Sequence, residues 1–167
     1  ITTEQTTAEK PKKVDGVGSI SADGLILTDE DGIKYKVAEK MSKDQLKKNI
    51  QIADKSTQGK YKIAKITKKK GKVVGGNVTY MKPYNKNTSS AIIAKRVKIA
   101  GVIFDVTEVN KNAFKGCKKL TKVTVGENIS KIGAGAFYDC KKLKAIKIKS
   151  LNLKSVGKNA IRGINAK

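Results

Sequence analysis

The feature that most constrains this chain is an internal repeat with a period of 23 residues. Residues 109–131 align without gaps on residues 132–154, and seven positions are identical, including Ala113 with Ala136. A third copy begins at Val156. Repetition at this period predicts stacked coils, because the apolar positions of one coil are buried only by the same positions of its neighbours.

Each copy contains an apolar pattern that predicts one short strand. Val123 and Val125 alternate with polar residues, which is the period of a strand with one buried face. Ile146 and Ile148 repeat the pattern in the next copy. We therefore expect parallel strands in which Val125 pairs with Ile148.

The residues before each strand predict a short helical or 3₁₀ turn that carries core side chains. Phe114 and Phe137 occupy equivalent positions, and we expect their rings to stack. Cys117 and Cys140 are also equivalent, so they should lie about one strand spacing, roughly 4.8 Å, apart. That distance permits a disulfide, but side chains in a parallel ladder have the wrong mutual direction. We predict free, buried thiols.

These residues together resemble a known family. The motif Ala-Phe-x-x-Cys-x-x-Leu-x-x-Val/Ile-x-Val/Ile occurs at 113–125 and 136–148 and resembles the leucine-rich repeat of BspA-like bacterial surface proteins. Residues 120–128 also fit the general leucine-rich repeat pattern, but Leu151 stands where Asn128 predicts asparagine, so we expect no asparagine ladder. The resemblance implies a right-handed β-rich solenoid, export, and adhesion or polymer binding. It implies no catalytic residues.

The N-terminal half predicts β-hairpins and one helix. A capping box, Ser42-x-x-Gln45, should begin the helix, with Leu46 and Ile50 on one face. The predicted strands are 17–21, 25–28, 33–37, 61–67 and 72–81, with turns at 22–24, 29–32 and 69–71.

We therefore predict a β-rich α+β fold in four parts. These parts are a flexible tether (1–15), a β-rich region (16–84), a linker (85–90) and a leucine-rich repeat solenoid (91–167). The solenoid divides into an irregular first coil (91–108) with a hairpin of 96–99 and 102–106, the repeats 109–131 and 132–155, and a partial repeat 156–167. The N-terminal region and first coil should cap the open end, because an uncovered coil exposes core and strand edges.

The charge permits a polyanion-binding surface. The net charge is +23, yet only Arg96 and Arg162 are arginines, and lysine lacks the fork that reads bases. Residues 109–167 hold 15 basic and 2 acidic residues. The excess lysine either keeps the surface soluble or binds an anion. The candidate anion-binding residues are Lys118 stacked on Lys141, Lys119 on Lys142, and Lys131 on Lys154, together with Lys147 and Lys149.

Catalytic chemistry finds little support. The chain has no histidine, which excludes the usual triads and His-ligated metals. Gly133-x-Gly135 lacks the third glycine of a dinucleotide loop, because Tyr138 occupies that position. Residues 29–31 are acidic but lack EF-hand spacing, so we expect a hairpin turn and not a calcium site. We predict no enzyme, no cofactor and no metal.

Two functional hypotheses remain. The first is a non-catalytic cell-surface or secreted binding or spacer module, whose signal peptide has been removed and whose partner is a host or cell-wall protein or anionic glycan. No apolar run approaches 18 residues, so we expect no membrane insertion. The alternative is a cytoplasmic nucleic-acid-binding protein. It requires exposed aromatic residues, and the repeats offer Phe114, Phe137 and Tyr138, of which two should be buried.

Overall fold

The computed structural model describes residues 10–165, and strands supply nearly all the regular structure of that range. Residues 1–9, most of the predicted tether, lie outside the described residues, as do residues 166 and 167 at the end of the partial repeat. The strands are β1 (Lys12–Val14), β2 (Gly18–Ile20), β3 (Ile26–Thr28), β4 (Lys34–Val37), β5 (Gln51–Asp54), β6 (Gly59–Lys69), β7 (Lys72–Pro83), β8 (Ser90–Ile93), β9 (Arg96–Ile99), β10 (Val102–Val109), β11 (Lys122–Val125), β12 (Lys131–Ile132), β13 (Ala145–Ile148) and β14 (Ser155–Val156).

The first seven strands form one continuous sheet. Neighbours pair antiparallel from β1 to β7, except that β4 and β5 are parallel. The long β6–β7 hairpin turns at Lys70 and Gly71, both with positive φ, as expected of a tight hairpin turn. The prediction of a tether is wrong for residues 12–14, because Lys12 to Val14 pair with Ile20 to Gly18. Backbone hydrogen bonding to β2 orders this segment despite its polar sequence.

The predicted helix at residues 42–50 is also wrong. This segment contains a 3₁₀ turn at Lys43–Gln45, preceded by another at Ala38–Lys40. The Gln45 side chain does accept the Ser42 N–H at 3.1 Å, but the Ser42 hydroxyl donates to Asp44. Asn49 then adopts a left-handed conformation (φ 72°), and its N–H donates to Ile63 O at 2.8 Å. Bonding to β6 therefore replaces the second helical turn.

The repeats supply two strands per coil, one to each of two sheets. β8, β11 and β13 form a three-stranded parallel sheet among the described residues, in which Val125 pairs with both Ile93 and Ile148. β10, β12 and β14 form a second parallel series. The predicted pairing of Val125 with Ile148 is confirmed.

The first coil is irregular because it contains an inserted hairpin. β9 pairs antiparallel with β10 across Ala100 and Gly101, which both have positive φ. β10 also pairs in parallel with β7, so the N-terminal sheet and the second series of coil strands are one sheet. β7 therefore covers the β10 strand of the first coil. The β8 strand of the same coil lies at the edge of its own sheet.

Aromatic rings form the centre of the core. Phe114 and Phe137 stack with their centroids 5.2 Å apart and an interplanar angle of 14°, as predicted. Tyr80 of β7 stacks on Phe114 at 5.4 Å, and Tyr61 of β6 packs edge-on against Tyr80 at 5.7 Å. One hydrophobic cluster therefore runs from the N-terminal strands into the repeats.

Two smaller predictions about the repeats are also confirmed. Cys117 and Cys140 are free and buried, and the Cys140 thiol donates to Phe114 O at 2.9 Å. Asn128 donates its amide to Lys95 O and to Asp105, while Leu151, its counterpart in the next coil, is 96% exposed. No asparagine ladder connects these two coils.

Candidate binding surface

At the corner of each coil, one residue adopts the left-handed backbone conformation. Asn112, Gly135 and Asn159 have φ values of 57°, 64° and 58° at successive repeat positions. Asparagine and glycine tolerate this conformation better than other residues. The corner of every coil therefore turns in the same way, and side chains at equivalent positions are stacked.

Hydrogen bonds between coils hold these corners in register. Phe114 N–H donates to Ala136 O at 2.7 Å, and Phe137 N–H donates to Ala160 O at 2.7 Å. Gly133 lets the corners approach closely, since a Cβ built there would lie 2.4 Å from the backbone nitrogen of Lys111. The repeat surface is thus a rigid scaffold for its exposed lysines.

All eight lysines predicted to bind an anion are exposed. Among residues 10–165, Lys141 alone of the eight has a carboxylate within 4.0 Å, that of Asp139 at 4.0 Å. Thr124 neighbours Lys147 in the β11–β13 pair. The stacking of Lys118 on Lys141 and of Lys119 on Lys142 stays a prediction.

The predicted column of Lys131 and Lys154 is wrong. β12 and β14 pair Lys131 with Ser155 and Ile132 with Val156. The second repeat is one residue longer than the first, so β14 is reached one position later. Lys154 is therefore one residue out of register with Lys131. Because successive residues of a strand point to opposite faces, its side chain does not continue a column that begins at Lys131.

A basic groove at the corner of the coils was not predicted. The groove has a volume of about 400 Å³ and crosses all three corners. Tyr138 of the middle coil is half-buried in it, and Lys115 Nζ lies 5.7 Å from the centroid of the Tyr138 ring. The basic groove is lined by Lys111, Asn112, Lys115, Ala134, Gly135, Tyr138, Lys158, Asn159 and Arg162.

A sequence signal for this groove was present. Lys111 and Lys158 occupy the same repeat position two coils apart, as do Lys115 and Arg162. Asn112 and Asn159 mark the left-handed turn beside them. An alignment of the first copy with the third shows both pairs. The second copy has Ala134 and Tyr138 at these positions, so an alignment of the first copy with the second does not show them.

The acidic turn at residues 29–31 is held by lysines. Asp29 accepts the N–H groups of Asp31 and Ile33, each at 2.9 Å, and lies 3.3 Å from Lys82 Nζ. Lys82 also pairs with Asp31 at 3.1 Å. Within residues 10–165 no group of three or more His, Cys, Asp or Glu side chains could hold a metal ion.

A buried lysine lies close to this turn. Lys60 is 3% exposed, and its ammonium donates to Val17 O at 3.3 Å and lies 5.2 Å from the centroid of the Tyr35 ring. Burial lowers the pKa of Lys60 to about 8, although the nearby Asp29 carboxylate opposes this shift.

The parallel coils, the inward leucine, valine and phenylalanine positions and the 23-residue period define a leucine-rich repeat protein. The family model described as "BspA type Leucine rich repeat region (6 copies)" matches residues 91–166. This match confirms the resemblance to BspA-type leucine-rich repeats that the sequence indicates.

Solved structures of bacterial leucine-rich repeat proteins share the fold. A leucine rich cell surface protein from Faecalibacterium prausnitzii A2-165 is 22% identical, with a TM-score of 0.51. The match covers 66% of this chain and 28% of that protein, so the chain corresponds to less than a third of that protein's length. A leucine-rich repeat protein from Bacteroides capillosus ATCC 29799 is 19% identical, with a TM-score of 0.50 over 67% of this chain and 91% of that chain.

No curated protein matches the sequence. Among the residues with described positions, no helix is long and apolar enough to cross a membrane.

Proposed function

We propose that this chain is a non-catalytic binding or spacer module, displayed at the cell surface or secreted, whose repeats contact anionic macromolecules. The observation that carries the proposal is the exposed, largely unpaired lysine surface on a BspA-type repeat scaffold. A rigid array of cations binds a polyanion by releasing the polyanion's counterions. The partner class is a host or cell-wall anionic glycan or acidic protein.

The proposed architecture is a right-handed leucine-rich repeat solenoid with the N-terminal strands as its cap. The parallel β8–β11–β13 pairing supports the solenoid, and the pairing of β7 with β10 supports the cap. Residues 85–90, between the predicted N-terminal region and the solenoid, are proposed as the boundary between the two parts.

The test is retention on immobilised heparin as a function of salt. Two variants remove the same charge: Lys118, Lys119, Lys141 and Lys142 to Gln on the repeats, and Lys68, Lys69, Lys70 and Lys72 to Gln at the β6–β7 hairpin, where these lysines are also exposed. We expect wild-type retention to weaken between about 50 and 300 mM NaCl, since salt screens exposed charges. The repeat variant should elute at lower salt than the hairpin variant.

Two results would contradict the proposal. Equal elution of the two variants would show that net charge, and not the repeat surface, governs retention. Absence of retention at about 50 mM NaCl would remove polyanion binding altogether. Tighter binding to single-stranded DNA than to heparin at matched salt would favour the nucleic-acid alternative.

A further inference from the structure

The groove at the coil corners collects four cations and no acidic side chain. Lys111, Lys115, Lys158 and Arg162 all line it, all are exposed, and none has a carboxylate within 4.0 Å among residues 10–165. The other described cavities that contain lysines also contain carboxylates: Asp29 and Asp31 pair with Lys82 in one, and Asp44 lines a second cavity. Compared with these cavities of residues 10–165, the basic groove has the more positive lining.

The register of the coils fixes the spacing of these cations. Asn112 N–H donates to Ala134 O, and Gly135 N–H donates to Lys158 O, both at 3.0 Å, so the three corners are stacked directly. Adjacent hydrogen-bonded coils are about 4.8 Å apart, which places Lys111 about 10 Å from Lys158 along the stack. Gly116 N–H to Tyr138 O and Asp139 N–H to Arg162 O continue the same register. Lys115 and Arg162 therefore have the same separation as Lys111 and Lys158.

Tyr138 lies between the two cation pairs. Its position belongs to the middle coil, between the coil of Lys115 and the coil of Arg162, and Lys115 Nζ lies 5.7 Å from the centroid of its ring. An aromatic ring offers a flat apolar face and a polar hydroxyl. The side chains of Asn112 and Asn159, both exposed, add amide donors and acceptors on the groove wall.

We infer that the basic groove is a binding site for an acidic oligosaccharide, a role that rests on the proposed function and names its site and ligand class. One sugar ring packs on Tyr138. The sulfate or carboxylate groups of this sugar, or of the neighbouring sugars, bind the flanking cations. The amides of Asn112 and Asn159 form hydrogen bonds with sugar hydroxyl groups. The shared ligand chemistry is a sugar ring that carries sulfate or carboxylate.

Two observations favour a saccharide over a nucleic acid. Nucleic-acid channels stack successive bases on several aromatic side chains, and Tyr138 is the one aromatic residue that lines this groove. Three of the four cations are lysines, which lack the planar fork suited to bases and phosphates. Amide groups beside one aromatic ring match a ligand rich in hydroxyl groups.

The test measures the affinity of a heparin-derived hexasaccharide and of a hyaluronate hexasaccharide by calorimetry at fixed ionic strength. The groove variant is Lys115→Gln with Arg162→Gln, and the matched control is Lys68→Gln with Lys69→Gln at the β6–β7 hairpin, which removes the same charge outside the repeats. Tyr138→Leu removes the aromatic face without a change in charge. We expect at least one hexasaccharide to bind, with affinity reduced about tenfold by the groove variant and about fivefold by Tyr138→Leu. The control should change it less than about twofold.

The outcomes separate this site from the general proposal. Equal effects of the groove variant and its control, with heparin retention intact, overturn the groove and leave the proposed function standing. If the wild type is not retained on heparin, both the groove and the proposed function are overturned. Tighter binding of a six-nucleotide oligothymidylate than of either hexasaccharide overturns the saccharide assignment. A shift of the Tyr138 ring resonances on hexasaccharide addition, without a shift at Phe137, supports the groove independently of any variant.

Discussion

The ring of Tyr80 stacks on the ring of Phe114 with their centroids 5.4 Å apart. This contact continues the Phe114–Phe137 stack of the repeats into strand β7, outside the region that matches the family. Tyr80 thus occupies the place that a phenylalanine of a preceding coil would fill. The N-terminal strands and the repeats are packed through one aromatic column.

Tyr80→Phe is expected to stabilise the protein. The Tyr80 hydroxyl is fully buried and has no hydrogen-bond partner within residues 10–165, and burial raises its pKa well above the ordinary value. An unsatisfied buried hydroxyl costs about 1–3 kcal/mol, so its removal should raise the free energy of unfolding by about 1 kcal/mol.

Tyr61→Phe is the matched control for this measurement. The Tyr61 hydroxyl bonds to Thr57 Oγ1 at 2.7 Å, so its loss should lower the free energy of unfolding by about 1 kcal/mol. Urea denaturation of both variants checks the pair. Destabilisation by Tyr80→Phe comparable to that of Tyr61→Phe would show that the Tyr80 hydroxyl has a hydrogen-bond partner, and would contradict this account.

Gly133→Ala tests the close contact between coil corners. The added Cβ would lie 2.4 Å from the nitrogen of Lys111, a backbone atom that cannot rotate away. We expect a loss of about 2 kcal/mol or more, measured by thermal and urea denaturation. Gly75→Ala is the control, because its Cβ would lie 3.5 Å from Ile103 O, an ordinary contact. Equal stability of the two variants would show that the corners are not packed this closely.

Stability near pH 9 should report on Lys60. Burial lowers the pKa of Lys60 in the folded protein from 10.5 to about 8. Between these values the unfolded chain binds a proton that the folded protein has released, so this lysine makes stability rise with pH. Relative to Lys60→Met, the wild type should gain roughly 1–2 kcal/mol between about pH 7.5 and 9.5.

The comparison with Lys60→Met isolates one group. Burial raises the pKa of Cys117 to about 12 and that of Cys140 to about 11, which favours unfolding above about pH 9, but both variants share this effect. Urea denaturation across the pH series provides the measurement. A pH-independent difference between wild type and Lys60→Met would mean that the Lys60 ammonium is solvated.

The two cysteines should be unreactive in the folded protein. Both are buried, and burial raises their pKa values, which suppresses the thiolate that reacts with disulfide reagents. At about pH 8, we expect two thiols to react rapidly in denaturant and at least about 100-fold more slowly without it. A Lys118→Cys variant should add one fast thiol, since Lys118 is exposed. Fast reaction of Cys117 in the native state would contradict the closed core.

The sequence predicts the repeats better than the region before them, for a physical reason. A period of 23 residues specifies which side chains must cover one another, so Phe114 on Phe137 and Val125 beside Ile148 follow from the alignment alone. The segment around Ser42 has no such constraint, and its capping signal was overridden by the hydrogen bond from Asn49 to Ile63. That long-range bond leaves no mark in the local sequence.

The candidate surface was predicted in part. The exposure of the eight lysines follows from strand alternation and coil position. The extra residue of the second repeat, however, moves Ser155 and not Lys154 opposite Lys131. The basic groove was missed because Lys115 and Arg162 are two coils apart, so their proximity depends on the intervening corner at Tyr138.

Nuclear Overhauser effects between aromatic rings test the central claim, the in-register stacking of successive coils, most directly. With selectively labelled phenylalanine and tyrosine, we expect ring-to-ring cross-peaks between Phe114 and Phe137 and between Tyr80 and Phe114, whose centroids lie 5.2 and 5.4 Å apart. Absence of the Phe114–Phe137 cross-peak in the folded protein would contradict the stack, and with it the scaffold on which both proposed binding surfaces depend.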